Sequence, residues 1–323
     1  MPRKIVNFDL RHPAQFSISG AETYRAALEI AAWADRNGFE RIGIAEHHQN
    51  LDGYIPCPLL FASAVGGCTS QIKVRTGVVL APLYDPVRLA EEVAVADLCT
   101  GGRLVFGMGL GSQPADFAAF GMDIGRRGRT MDELIPLLRR AWTGEPFEHR
   151  GAEVRVTPRP VQDPMPIYLG GTTPAAADRA ARLADGFHTA TAAHWDLYRE
   201  ACQRYGKPDP GPREPRGPMF LWVTKDDKDE VRAELEPSFR YQEQSYIDQT
   251  NQAGIAFRGP WVRAPGTPEP YRVVDPDEAI ELADALGPDG ELIFHPLLAG
   301  IDTRSVTRML EVVEHDVLPH LAH

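Results

Sequence analysis

The sequence predicts an α/β fold, specifically a (β/α)8 TIM barrel with insertions at the C-terminal mouth. Three observations point there. Eight short β-rich runs alternate with amphipathic helical segments along nearly the whole chain. Several runs, VRTGVVLAP and RLVFGMG among them, are apolar on both faces, as strands covered on both sides must be. The connection Arg11–Ala21 is not glycine-rich, and no GxGxxG follows the first strand, which argues against a doubly wound dinucleotide-binding sheet. The 323 residues suffice for one barrel of about 250 residues plus insertions, so a single domain over 1–323 is expected.

The strands are read at Lys4–Leu10, Arg41–Ala45, Lys73–Leu80, Arg103–Met108, Pro166–Leu169, Gly186–Thr189, Met219–Thr224 and Glu291–Phe294. The first helix, Ala21–Asn37, carries Tyr24, Leu28, Ala31 and Ala32 on one stripe and stops at Gly38. Val87–Cys99 stops at Gly101-Gly102, and Met131–Trp142 at Gly144. Ala175–Ala184 follows Thr173-Pro174, a cap residue and a proline at the first helical position. Thr303–Leu318 closes the chain.

Two stretches break this rhythm. Gly206–Pro218 carries five prolines and reads as a stiff surface connection. Asp226–Pro276 holds a charged helix and then a proline-rich run, too long for an ordinary connection. It is read as an insertion near the barrel mouth, a lid over about residues 226–276, with Trp261 and Tyr271 as packing residues.

Composition excludes several roles. Acidic residues outnumber basic ones, 45 to 34, for a net charge of -11, so neither nucleic acid nor an anionic membrane is an expected partner. No apolar run reaches membrane-spanning length, and no signal-like apolar segment follows the early basic residues. Cys57, Cys68, Cys99 and Cys202 form no CxxC pair, which predicts a cytoplasmic protein with free, mostly buried thiols and no structural zinc.

In a barrel, chemistry gathers where strands end at the C-terminal face. After the second strand comes Glu46-His47-His48, the densest titratable cluster. Two adjacent histidines on extended backbone point to opposite faces and do not easily share one ion, so no metal is expected. A histidine near neutral pKa is a natural proton donor or acceptor, with Glu46 placed to orient and support it. Gly170-Gly171-Thr172-Thr173-Pro174 reads as a phosphate cradle, because glycines admit close backbone approach and a helix N-terminus offers free N–H groups. A tight capped turn is the structural alternative. Gly107-Met108-Gly109-Leu110-Gly111 clears side chains above the barrel, and Gly77 marks a bulge inside a buried strand. Arg126-Arg127-Gly128-Arg129 opens a helix against dipole logic and is expected to pair with Asp132, Glu133 and other acids. Tyr84, Met108, His188, Trp222 and His295 are candidates to line a substrate pocket, with core packing as the alternative for each.

These fragments, in this order, resemble the luciferase-like flavin-dependent monooxygenases over roughly Lys4–Leu318. The carriers are GFERIGIAEHH, VVLAPLYDPVRLAEEVAVADLCTGGRLVFGMGLG, FAAFGMDIGRRGRTMDELIPLLRRAWTGEPF and PIYLGGTTPAAADRAARLADG. The resemblance implies a barrel that binds reduced FMN and, through a C4a-peroxyflavin formed with O2, oxygenates a small organic substrate. It places the catalytic histidine on His47 and the phosphate turn on Gly170–Thr173. The isoalloxazine-supporting bulge, often with a non-proline cis peptide, falls near Gly77-Val78. Phe8, Gly109, Leu110 and Tyr168 complete the implied cofactor-binding set.

There are departures. Leu110 stands where many FMN members carry a phosphate-contacting arginine, which keeps open a related branch using the deazaflavin F420. Gly109 stands near the position of the luciferase reactive cysteine. The expected protein is therefore a two-component monooxygenase fed by a separate flavin reductase. An F420-dependent hydride-transfer enzyme and a non-catalytic flavin-binding subunit are the alternatives. A homodimer is expected through Pro58–Cys68 and Val87–Cys99, with Val87, Ala90, Ala94 and Leu98 facing the partner copy.

Overall fold

The computed structural model describes residues 1–252 and 269–321. The strands in it are β1 (Arg3–Phe8), β2 (Arg41–Ile44), β3 (Lys73–Thr76), β4 (Leu104–Met108), β5 (Phe147–His149), β6 (Ala152–Val154), β7 (Ile167–Gly170), β8 (Gly186–His188), β9 (Phe220–Val223), β10 (Tyr271–Val274) and β11 (Glu291–Phe294). The helices are α1 (Gly20–Arg36), α2 (Pro58–Cys68), α3 (Pro86–Thr100), α4 (Pro114–Ala119), α5 (Arg127–Ala141), α6 (Pro174–Leu183), α7 (Ala192–Arg204), α8 (Lys228–Gln252), α9 (Pro276–Leu286) and α10 (Thr303–Val312).

The chain divides into two compact units. One comprises Met1–Gly43, His48–Pro56 and the chain from Glu214 onward; the other comprises Ile44–His47 and Cys57–Arg213. In the first, β1 lies parallel to β11 with Val6 opposite Phe294, in the order β11-β1-β2. β9 and β10 form a separate parallel pair with Tyr271 opposite Phe220. In the second unit the order is β3-β4-β7-β8, all parallel. All eight expected strands are present, and parallel pairing with intervening helices makes the fold α/β. This pairing establishes the parallel α/β class and stops short of a closed eight-stranded barrel.

Helix boundaries follow local chemistry. Ser19 and Glu22 form a reciprocal capping box at the start of α1. Asp85 accepts from the N–H groups of Val87 and Arg88 with Pro86 at the first helical position, and α3 ends at Gly101 in the left-handed region. Thr173 caps α6 by accepting from Ala176 N. The expected closing helix begins as α10 and passes at Val313–Val317 into a wider π turn.

Two features escaped the sequence reading. β5 and β6 form an antiparallel hairpin whose turn, Arg150-Gly151, has positive φ at both residues, the geometry that matches strand twist. β10 lies inside the run read as irregular, and its Tyr271 ring stacks on Phe239 of α8 at 4.6 Å. Of the expected lid, 226–252 and 269–276 are helix, strand and turn, whereas Trp261 lies outside the described residues.

The cysteine expectation is corrected. Cys57, Cys68 and Cys99 are exposed and only Cys202 is buried: Cys57 precedes the first turn of α2, Cys68 ends that helix, and Cys99 lies outside the buried face of α3. The arginine cluster behaves partly as expected. Arg129 pairs with Glu133 at 2.7 Å, but Asp132 is taken by Arg179 and Arg182 of α6.

Candidate active site

In the second unit the chain leaves β2 through Ala45-Glu46-His47. Glu46 is almost fully buried. Its Oε2 accepts from Leu80 N at 2.9 Å and its Oε1 accepts from the Tyr84 hydroxyl at 3.2 Å. Burial, reinforced by the Glu46 charge, pushes the Tyr84 phenol far above its ordinary range, so it stays a neutral donor. Glu46 therefore has a job the sequence did not suggest: it pins the loop that follows β3. Leu80, Leu83 and Phe117 form a small core under this loop, with Val78, Tyr84 and Ile124 packed against it. His47 is half-buried.

The Gly77–Val78 peptide is cis, and Gly77 N donates to Ile44 O at 2.6 Å. Beyond it, Val79 N donates to Gly107 O and Gly109 N donates to Val79 O, both at 2.8 Å, so the ends of β3 and β4 are laced together. The Val78 side chain then decides what its neighbours can be. A Cβ at Gly109 would lie 2.4 Å from Val78 Cγ2, and one at Gly170 would lie 2.4 Å from Val78 Cγ1. Real Cβ atoms do not approach so closely, so both glycines answer to Val78. Sequence reading assigned the cleared space to a ligand; its first occupant is a valine that stays half-buried at the surface of the bulge. Leu110, next to Gly109 in sequence, is half-buried, while Met108 is fully buried in β4.

The turn after β7 is built the same way. The Tyr168 ring stacks on His188 at 5.0 Å with the planes 2° apart. Gly186 admits that ring, since its Cβ would fall 2.6 Å from Tyr168 Cδ1. Gly171 is held glycine by Ala176, whose Cβ lies 2.4 Å from where another would sit. Thr173 spends its side-chain oxygen on capping α6, with Ala176 N at 3.2 Å. Thr172 is half-buried, and the turn lies at the positive end of the α6 dipole.

The sequence profile described as luciferase-like monooxygenase matches residues 4–290. The chain belongs to the luciferase-like monooxygenase family. It is 30% identical over 161 residues to a flavin-dependent trigonelline monooxygenase, oxygenase component, of Acinetobacter baylyi, covering 47% of this chain and 44% of that protein. It is 28% identical over 191 residues to an F420-dependent glucose-6-phosphate dehydrogenase of Gordonia bronchialis, covering 54% of this chain and 56% of that protein. The chain spans about half the length of the curated relatives it matches. In fold it is similar to the crystal structure of monooxygenase RslO1 from Streptomyces bottropensis, with a TM-score of 0.74, 22% identity, and coverage of 99% of this chain and 100% of that one.

Within this luciferase-like chain, the second unit brings Val78 and Tyr84 onto one small core, ties Glu46 to it through Leu80 and Tyr84, and sets Gly109 and Gly170 against Val78. In the first unit, Phe8 is buried in β1. Trp222 is buried in β9, 6.0 Å from Phe220, and borders a groove of about 920 Å³ with Asp226, Glu230, Arg308 and His315. His295 joins a group that sequence reading missed. Its Nε2 is 3.7 Å from Asp9 Oδ2, and Asp9 lies beside Arg11, whose own neighbours are Asp52, Tyr54, Gln242 and Tyr246. One signal was available: Asp9 and Arg11 are charged residues at the C-terminal end of an apolar strand, where a barrel keeps its chemistry. Among the described residues no group of three or more His, Cys, Asp or Glu has metal-holding geometry, and no helix is long and apolar enough to cross a membrane.

Proposed function

We propose that this chain is the oxygenase component of a two-component flavin-dependent monooxygenase, acting on a small organic substrate with reduced FMN and O2. The family match over residues 4–290 carries this reading. The flavin relative in Acinetobacter and the half-buried Val78 bulge support it. Reduced flavin, when bound, supplies the electrons that activate O2, and a separate reductase is the partner that delivers it.

The residues present fit such a group in two places. The turn 170–173 leads into an α6 N-terminus, which favours an anionic phosphate and offers backbone N–H donors. The Val78 side chain, framed by Gly109 and Gly170, presents an apolar surface suited to a flat ring. Glu46 keeps that surface in place through Leu80 and Tyr84. His47, half-buried beside Glu46 in sequence, holds or delivers one proton at its imidazole.

A second reading, F420-dependent hydride transfer, is favoured by the Gordonia relative and by Leu110, which leaves no arginine at that point of the β4 turn. Anaerobic titration with reduced FMN and reduced F420, followed by absorbance, separates the two. His47→Ala should leave flavin affinity nearly unchanged and cut product formation by about 10²–10⁴-fold. Unchanged turnover removes His47 from the mechanism.

The homodimer remains part of the proposal, with a corrected surface. Ala90 and Ala94 are fully buried, because α3 packs that face inward. The exposed apolar residues are Leu60 of α2 and Val95 and Leu98 of α3. Leu60→Glu should therefore shift the mass measured by light scattering toward the 36 kDa monomer if the dimer uses this face.

A further inference from the structure

We propose that Asp9, Arg11 and His295 form a subsite that binds one neutral hydroxyl group of an organic ligand. It rests on the oxidoreductase reading only in naming that ligand the substrate. Asp9 and Arg11 follow the C-terminal end of β1, and His295 follows that of β11, the parallel neighbour in register. Between Asp9 and Arg11, Leu10 sits in the left-handed region with φ 57° and is fully buried, a conformation a leucine keeps only where its surroundings impose it.

The Arg11 side chain is fully buried and held on several sides. Its Nη1 donates to Gln242 Oε1 at 3.1 Å, and its Nε lies 3.4 Å from Asp52 Oδ2. The guanidinium lies 4.4 Å from the Tyr54 ring centre and 5.2 Å from that of Tyr246. Its Nη2, however, is buried without a hydrogen-bond partner. Asp9 Oδ1 accepts from Arg11 N at 3.1 Å, while Asp9 Oδ2 has no hydrogen-bond partner and is 3.7 Å from His295 Nε2, which has none either. Leaving a buried polar atom unpaired is costly; Asp9 Oδ2 and His295 Nε2 lie together at two adjacent strand ends, the Arg11 charge acts on both side chains, and its Nη2 is a third unpaired atom, so the group marks a place for something that pairs them.

Charge and donor count define that partner. Burial, the largest influence, pushes the His295 imidazole toward the neutral form. Burial likewise keeps Tyr54 and Tyr246 protonated phenols. Two carboxylates, Asp9 and Asp52, then face one guanidinium, and the surplus negative charge repels an anion. An ammonium group can donate to Asp9 but cannot accept from Arg11. A carboxylate can accept from Arg11 but cannot donate to Asp9. A hydroxyl does both, and His295 is free to donate or accept through its tautomer. Water satisfies the same pattern, so a ligand hydroxyl enters by replacing it.

The test uses the full chain without flavin. Benzyl alcohol, benzylamine, benzoate and toluene are titrated by calorimetry into the parent protein, Asp9→Ala and His295→Phe. Benzyl alcohol should bind at least about tenfold more tightly than the other three, since a hydrogen bond to a charged group is worth that much. The advantage should vanish in both variants; if Asp9→Ala does not fold, His295→Phe carries the comparison. Equal binding of alcohol and toluene, preference for the amine or acid, survival of the preference in His295→Phe, or no binding at all overturns the proposal. So does a crystal soaked in benzyl alcohol that shows only water between Asp9 and His295. FMN is titrated into the same proteins. In the parent protein, absence of the alcohol preference with FMN binding intact removes the subsite alone, and the preference without FMN binding removes the flavin reading alone.

Discussion

The bulge at Val78 and the cluster around Arg11 are built by opposite means. The first is steric: one half-buried valine forces glycine at two positions distant in sequence, and a buried carboxylate clamps the adjoining loop. The second is electrostatic: a fully buried guanidinium lies against the Asp52 carboxylate, an amide and two phenol rings, with Asp9 close enough to act on its charge. Packing constraints break when an atom is added. Charge constraints break when one is removed. The two regions should therefore fail under different substitutions.

The largest effect is expected at the charged region. Arg11→Met leaves Asp9 and Asp52 buried without their cation and should cost about 3–5 kcal/mol in urea denaturation. A loss below about 1 kcal/mol, the range of surface pairs, would mean that water already reaches the cluster. At the bulge, Gly170→Ala should cost about 1–3 kcal/mol through overpacking. In a Val78→Ala background, where both clashing methyl groups are gone, that cost should nearly disappear. A double-mutant cycle reads the coupling, and additive losses would show that Val78 is not the reason for the glycine. Gly171→Ala, which meets Ala176, should not be rescued by Val78→Ala.

Smaller still is the cap of α6. Thr173→Ala should cost about 1 kcal/mol, while Thr173→Ser, which keeps the capping oxygen, should cost less. The gentlest probe is pH. Tyr241 donates to Asp52 at 3.0 Å, and burial followed by the Asp52 charge pushes its phenol up from 10.0 to about 12. A folded-state value above the unfolded one means that unfolding releases the proton above pH 10. The stabilisation is complete below 10.0 and is lost as pH rises toward about 12. Tyr241→Phe should flatten the stability profile in that window, and an unchanged slope would place the titration elsewhere in the cluster.

Much of the fold was legible because strand and helix signals are local. The expected Glu291–Phe294 strand matches β11 residue for residue, and Thr173-Pro174 marks the start of α6. The hairpin at Arg150-Gly151 was not, since strands of three residues carry almost no periodic pattern. Site residues divide the same way. Glu46, Gly109 and Gly170 stood out by residue type at strand ends, but the atoms they serve could not be read. The role of Gly170 depends on Val78, ninety-two residues away. Asp9 was read as the tail of the first strand and Arg11 as the start of a connection, because a charged residue at a strand end is ordinarily solvated.

By itself the sequence determined the alternation of strands and helices, the caps that bound the helices, and the short list of strand ends where chemistry gathers. All of these depend on residues within a few positions of one another. Only the tertiary structure decided which glycines answer to Val78, that Ala90 and Ala94 face inward, and that Arg11, Asp52, Gln242 and His295 meet. Steric exclusion and charge pairing act over a few ångströms of space, and chain separation carries no record of which distant residues come that close.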